Sequence, residues 1–174
     1  IEGKIKVIQY IRENHIPFLG ICYGMQLAVV EFARNVIGIE NANTIEVASD
    51  GMDVGTAVID ILPDQRGVKD YGGSMRLGGH DVILKKDSKA AEVFGSDLVR
   101  QRFRHRYEVN PDFVEKIENK GLVFSGKASR ENIMQIMEIE GHPFFLACQF
   151  HPELTSTLLK PSLLFLELVR ASAK

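Results

Sequence analysis

Two short segments of this 174-residue chain carry residue types that could do chemistry together. The first is Gly20-Ile21-Cys22-Tyr23-Gly24. It lies between an apolar run at 16–21 that reads as a buried strand and a run at 23–37 that reads as a helix. A strand, a tight turn with a nucleophile at its apex and a helix make the nucleophile-elbow pattern, here with cysteine in place of serine. The flanking glycines are expected to permit a turn in which side chains at their positions would clash. The helix that follows aims its N-terminus at the sulfur, which favours thiolate, and the Tyr23 N–H is placed to stabilise an oxyanion. The second segment is Gln149-Phe150-His151-Pro152-Glu153. A cysteine nucleophile needs a base, and the base needs an acceptor to orient it. His151 and Glu153 are two apart, so in an extended segment their side chains lie on the same side, and Pro152 fixes one torsion between them. Taken singly, a core cysteine and a strand-end histidine beside a solvated acid explain these segments. Taken together they point to a triad of Cys22, His151 and Glu153.

Such a triad needs a scaffold. Residues 2–15 read as an amphipathic helix, with Ile1, Ile5 and Ile8 on one face and Val7 and Ile11 beside it. The helix at 23–37 leaves little polar face, so it is expected to be buried on several sides, with Gly38 as its terminator. Further along, 55–62 and 79–85 read as strands, 88–94 as a short helix and 111–119 as a helix with Pro111 in its first turn. Strands are expected at 122–126, 132–139 and 143–150, the last two joined by a turn at Glu140-Gly141-His142. A closing helix spans 161–171. Early alternation of helix and strand followed by hairpins predicts an α/β fold, with a mainly parallel sheet and an antiparallel extension. No repeat, low-complexity stretch or linker divides the chain, so 1–174 reads as one domain.

The bulk numbers exclude several classes. Hydrophobic residues make up 45% and charged residues 25%, enough apolar material for a real core. The net charge of −2 gives no field for nucleic acid or an anionic membrane. Two cysteines, Cys22 and Cys148, form no paired motif, which argues against a disulfide scaffold or zinc site and for a reducing compartment. Cys148 sits in an apolar run and reads as core. His15, His80 and His142 have no metal-site spacing. The chain opens Ile-Glu-Gly-Lys with no leader pattern, and reads as the continuation of something longer.

The elbow, followed by Met25-Gln26, and His151-Pro152-Glu153 together resemble the class I, or triad-type, glutamine amidotransferases. The resemblance covers essentially the whole chain. It implies a flavodoxin-like open sheet that lacks the family's N-terminal strands, and hydrolysis of L-glutamine to glutamate and ammonia through a thioester on Cys22. It also implies that Tyr23, Gln26, Glu46 and Arg106 bind the substrate. Glutamine is a zwitterion, so Glu46 suits its ammonium and Arg106 its carboxylate. Glu2-Gly3-Lys4-Ile5, Gly72-Gly73-Ser74-Met75-Arg76-Leu77-Gly78 and Arg104-His105-Arg106-Tyr107-Glu108-Val109-Asn110 resemble one branch of the family. In that branch a synthetase domain of the same cytoplasmic polypeptide uses ATP and Mg²⁺ to aminate UTP, and the whole enzyme is a homo-oligomer. Those ligands would belong to the synthetase domain, and no cofactor or metal is expected in this chain. Tyr23 stands where that branch usually has Leu, a feature more familiar from the GMP synthetase type. The family's second oxyanion donor comes from a Gly-rich loop upstream of Glu2, so the chain alone is expected to be a feeble glutaminase or a silent binding and assembly module.

Overall fold

The structure is a computed structural model, and it describes residues 1–51, 53–61, 76–129 and 132–173. Helix α1 (Glu2–Glu13) buries Ile5 and Ile8, as their spacing predicts. Strand β1 (Phe18–Ile21) passes through Cys22 into α2 (Tyr23–Phe32), whose residues 25–32 are all buried. A π-helical turn (Ala33–Ile37) ends α2 at Gly38, whose φ is 88°. There follow β2 (Ala42–Thr44), a 3₁₀ turn (Ile45–Asp50), β3 (Thr56–Asp60), β4 (Arg76–Leu84), α3 (Lys89–Phe94) and β5 (Leu98–His105). The chain continues with β6 (Glu108–Val109), α4 (Pro111–Glu118), β7 (Leu122–Ala128), β8 (Met134–Ile139) and β9 (Phe145–Cys148). A second 3₁₀ turn (Pro152–Leu154) and α5 (Leu163–Ser172) close it. Of the expected elements, Leu62 and the Gly72-Gly73-Ser74-Met75 part of one motif lie outside the described residues.

Six strands form one sheet in the order β1-β9-β8-β7-β4-β5, and three form another in the order β2-β3-β6. The class is α/β as expected, but the pairing is weighted differently. Among the described residues only β1–β9 and β2–β3 are parallel. The pairs β9–β8, β8–β7, β7–β4, β4–β5 and β3–β6 are antiparallel. Short turns such as the one at Gly141, with φ 78°, suffice for antiparallel neighbours, whereas a parallel pair needs a long crossover. The link from β1 to β9 uses most of the chain. Strands β2, β5 and β6 were not expected. In β5 the exposed Arg100, Arg102 and Arg104 alternate with Val99, Gln101 and the buried Phe103, so the run looks polar although it pairs along its whole length.

Side chains on successive β9 residues enter two separate cores. Phe145 and Ala147 join Ile5, Leu27, Val30 and Ile117 on the face covered by α1, α2 and α4. Leu146 and Cys148 join Val82, Phe103, Phe150 and Leu164 on the face covered by α3 and α5. Burial on both faces explains why β9 is apolar at every position. The sheet also curls. β1 and β5 are its two ends, yet the Arg102 carbonyl accepts the N–H of His151, just beyond β9, at 2.8 Å. Phe103 and Phe150 meet in a T-shaped contact at 5.7 Å beside it. The candidate triad therefore lies where the two ends of the sheet approach each other. Among the described residues no helix is long and apolar enough to cross a membrane.

Helix α1 is fastened to α2 by a charge inside the fold. Glu31 is 0% exposed and receives Arg12 through Nε at 3.1 and 3.0 Å and through Nη2 at 2.8 Å, with Asn35 Nδ2 at 3.1 Å. Removing Arg12 strands a buried carboxylate, so Arg12→Ala should lower the unfolding free energy by about 3 kcal/mol. Arg12→Met combined with Glu31→Met should recover most of that loss. Urea unfolding of the single and double variants measures both, and equal losses would show that the pair contributes through packing alone.

Candidate active site

Cys22 has φ 50° and ψ −105°, a backbone conformation unusual for a side-chain-bearing residue. Its N–H donates to the Cys148 carbonyl at 2.7 Å, and its own carbonyl accepts from the N–H groups of Met25 and Gln26 at 3.0 and 3.2 Å. The first bond extends the β1–β9 pairing by one residue, and the other two start α2. Gly20 is needed for contact, because a Cβ there would meet Ala147 Cβ at 2.8 Å and the Gly24 backbone at 3.0 Å. Gly24 corrects the expectation of a clash. A Cβ there would meet nothing within 4 Å, since that side of the elbow opens on a cavity of about 520 Å³ between α1 and β1. The Tyr23 ring lies at this outer side, with the Lys4 ammonium 5.5 Å from its centroid.

The end of β9 supplies the base. The segment after it is not extended as expected. His151 caps the 3₁₀ turn Pro152–Leu154, because Pro152 brings a backbone φ suited to the first helical position. The turn still brings Glu153 back to the ring, and His151 Nδ1 lies 2.5 Å from Glu153 Oε1. With Nδ1–H donated to the carboxylate, Nε2 is left as the acceptor nitrogen, the tautomer a general base requires. Nε2 is buried and has no partner among the described residues. Cys22 and His151 follow neighbouring parallel strands at their C-terminal ends, the usual place for a site in an α/β sheet.

The thiol itself lies beside Gln149 Nε2, which donates to Sγ at 3.5 Å, and 4.0 Å from the Arg104 carbonyl oxygen. Burial pushes its pKa from 9.0 up to about 11. The Tyr23 N–H pulls it down, the Glu153 charge pushes it up, Gln149 pulls it down and the Glu46 charge pushes it up. Desolvation of the sulfur thus opposes the thiolate that the helix N-terminus was expected to favour.

The remaining residues come together through the small sheet. Thr44 and Val109 both pair with Ile59. Glu46, two residues after β2, and Arg106, between β5 and β6, therefore lie at the same end of that sheet. Thr44 Oγ1 accepts the Glu46 N–H at 3.3 Å. The turn bearing Arg106 is braced from below by Glu108, which is 1% exposed and meets His105 Nε2 at 2.6 Å, Arg76 Nε at 3.3 Å and Gln135 Nε2 at 3.4 Å. Gln26 is buried in α2 and donates to the Tyr107 carbonyl at 2.9 Å and to Gln149 Oε1 at 3.2 Å. Gln149 and Glu108 were not singled out from the sequence. A glutamine two residues before the candidate base was the only signal for the first, and a glutamate inside a basic cluster for the second. Among the described residues no cluster of three or more His, Cys, Asp or Glu is placed to hold a metal ion. Cys148, expected as core, is fully buried.

A strained cysteine between strand and helix and a histidine held by a carboxylate, after neighbouring parallel strands, are the parts that a triad of the acyl-transfer type requires. Residues 1–171 match the family described as Glutamine amidotransferase class-I, and the chain belongs to that family. The curated relatives it resembles are CTP synthases, among them those of Archaeoglobus fulgidus, 52% identical over 99% of this chain, and Methanosarcina mazei, 56% identical over 99%. The chain spans 32% of the length of each. Among solved structures it resembles the Trypanosoma brucei CTPS glutaminase domain with bound acivicin, at a TM-score of 0.91 and 35% identity. That match covers 99% of this chain and 66% of the other. A Thermoplasma acidophilum protein described as a putative GMP synthase subunit shares the fold alone, at a TM-score of 0.57 and 18% identity.

The state of the thiol is open to direct measurement. With a pKa near 11, the thiolate fraction of Cys22 should grow about tenfold per pH unit through neutrality and beyond. Alkylation by iodoacetamide, followed by peptide mass mapping, should therefore rise without a plateau up to pH 10. Cys148 should react only after unfolding. A plateau below pH 8 would show a preformed thiolate instead.

Proposed function

We propose that this chain hydrolyses glutamine for a CTP synthase, as its glutaminase domain. The observation that carries the reading is the strained Cys22 after β1, with His151, whose Nδ1 is held by Glu153 at 2.5 Å, following the neighbouring parallel strand β9. The Cys22 sulfur attacks the side-chain amide carbon of glutamine, and a carbon–sulfur bond forms as the thiol proton passes to His151 Nε2. The Tyr23 N–H stabilises the oxyanion that develops. His151 then gives its proton to the amide nitrogen, the carbon–nitrogen bond breaks and ammonia leaves. Water, activated by the same imidazole, cleaves the thioester to release glutamate and restore the thiol. Glu153 holds the ring and stabilises its charged form without taking the proton. Burial disfavours the thiolate of Cys22, so in this reading His151 takes the thiol proton during attack.

Arg106 and Glu46 at one end of the small sheet suit the carboxylate and ammonium of the substrate, which favours a free amino acid over a peptide. The 50%-range identity to CTP synthases across the chain supports delivery of the ammonia to a synthetase domain that aminates UTP. The ATP and Mg²⁺ of that step are assigned to the synthetase domain.

A diazo-ketone analogue of glutamine should label the full-length protein at Cys22 and should not label Cys22→Ser. Label found chiefly on Cys148 would overturn the assignment. Arg106→Ala should raise the glutamine KM by roughly 30-fold or more, the loss of one charge-assisted contact of about 2 kcal/mol. Arg106→Lys should recover only part, since Lys lacks the planar fork. Unchanged glutamate release by Arg106→Ala would remove that residue from the substrate site.

A further inference from the structure

Two buried amides lie between Tyr107 and the Cys22 sulfur, and their orientations are dictated from one end. A backbone carbonyl can only accept, so Gln26 must turn Nε2 toward Tyr107 O, at 2.9 Å. The same nitrogen carries a second hydrogen, which goes to Gln149 Oε1 at 3.2 Å. With its oxygen engaged there, Gln149 must present Nε2 to the sulfur, at 3.5 Å. Gln26 is 3% exposed and Gln149 is 0% exposed, so water is poorly placed to stand in for any of these bonds.

We propose that Gln26 and Gln149 form a directional amide relay in which Gln149 donates to the nucleophilic sulfur and Gln26 decides which end of the Gln149 amide faces it. Gln149 is then a catalytic donor that stabilises the charge appearing on sulfur as the proton leaves. Gln26 is a positioning residue that acts through it. The relay starts at Tyr107, next to Arg106, so the turn that would grip the substrate carboxylate also sets the polarity at the nucleophile. The proposal rests on the reading of Cys22 as nucleophile and adds a role for two residues that touch it directly or at one remove.

The charged neighbours of the sulfur work the other way. Glu153 and Glu46 both disfavour thiolate, and Cys148 behind it is neutral and buried. The donors that favour thiolate are the Tyr23 N–H and Gln149. If Gln149 presented its oxygen instead, a contact that favours thiolate would become one that disfavours it, with no change in packing. Gln26→Glu should cause that reversal from a position that does not touch the sulfur. A carboxylate has no hydrogen for Gln149 Oε1, so the Gln149 amide should rotate to donate to it and leave its oxygen on the thiol.

The test is the pH dependence of iodoacetamide modification of Cys22 in the full-length protein, read by peptide mass between pH 7 and pH 10. Gln149→Glu and Gln26→Glu should each slow modification at pH 9 by about tenfold or more, a rise of about one unit in thiol pKa. Gln149→Met removes the donor without adding charge, and Gln26→Met removes the director without adding charge. Both should slow modification by about threefold, which separates the relay from simple charge repulsion. A purely structural role would lower the melting temperature and leave the profile of the folded protein where it was. Wild-type profiles in folded Gln149→Met and Gln26→Met would overturn the relay. Labelling of the wild type by the diazo-ketone analogue keeps the two readings apart. If the label reaches Cys22 while the variant profiles stay unmoved, the relay fails and the glutaminase reading stands. If shifted profiles accompany an unlabelled Cys22, the relay stands and the glutaminase reading fails.

Discussion

The backbone of Cys22 is held where a cysteine does not rest by itself. A residue with a side chain at φ 50° and ψ −105° carries a strain of about 1–3 kcal/mol, and it persists only if its surroundings over-determine it. Here the N–H is fixed by Cys148 at 2.7 Å and the carbonyl by the first N–H groups of α2. The close approach of Gly20 to Ala147 leaves the elbow no room to relax. The contacts of the sulfur follow from that restraint. Were the torsion to relax, the sulfur would leave Gln149 and the Arg104 carbonyl together. The β1–β9 pairing is thus the support of the chemistry as well as of the sheet.

Charge in this fold is placed by burial more than by proximity. The fully buried Glu31 is met by a bidentate arginine, and the nearly buried Glu108 by histidine, arginine and glutamine. A buried carboxylate without such partners would be costly. The thiol receives the opposite treatment. Burial and the charges of Glu153 and Glu46 oppose its ionisation, while the Tyr23 N–H and Gln149 favour it. Burial therefore disfavours its thiolate.

The parts legible in the sequence were those whose meaning is local. The elbow shows in five consecutive residues, and Gly20, Cys22 and the following helix behave as that pattern requires. His151 and Glu153 lie two apart and meet, though through a 3₁₀ turn and not an extended strand. Local reasoning failed where the controlling partner is distant. The helix N-terminus beside Cys22 suggested thiolate, but the burial of the sulfur that opposes it is not visible in the local sequence. Gln149 looked like a spacer before the histidine because its partners, Gln26 and Cys22, lie 123 and 127 residues away. The arginines of β5 hid a strand because their alternation puts charge on a solvent face and Phe103 in the core. The weighting toward antiparallel pairs was equally hidden, since strand spacing alone does not say which neighbours a strand will find.

The curl that brings β5 to the end of β9 also sets a schedule. Synthesis produces Cys22 127 residues before Gln149, which follows the partner strand directly. Contacts at such separation close late, because the entropy of the intervening loop must be overcome first. Until β9 arrives, the Cys148 carbonyl is not there to hold the strained torsion and the Gln149 amide does not face the sulfur. The elbow is thus completed late, when β9 enters between β1 and β8.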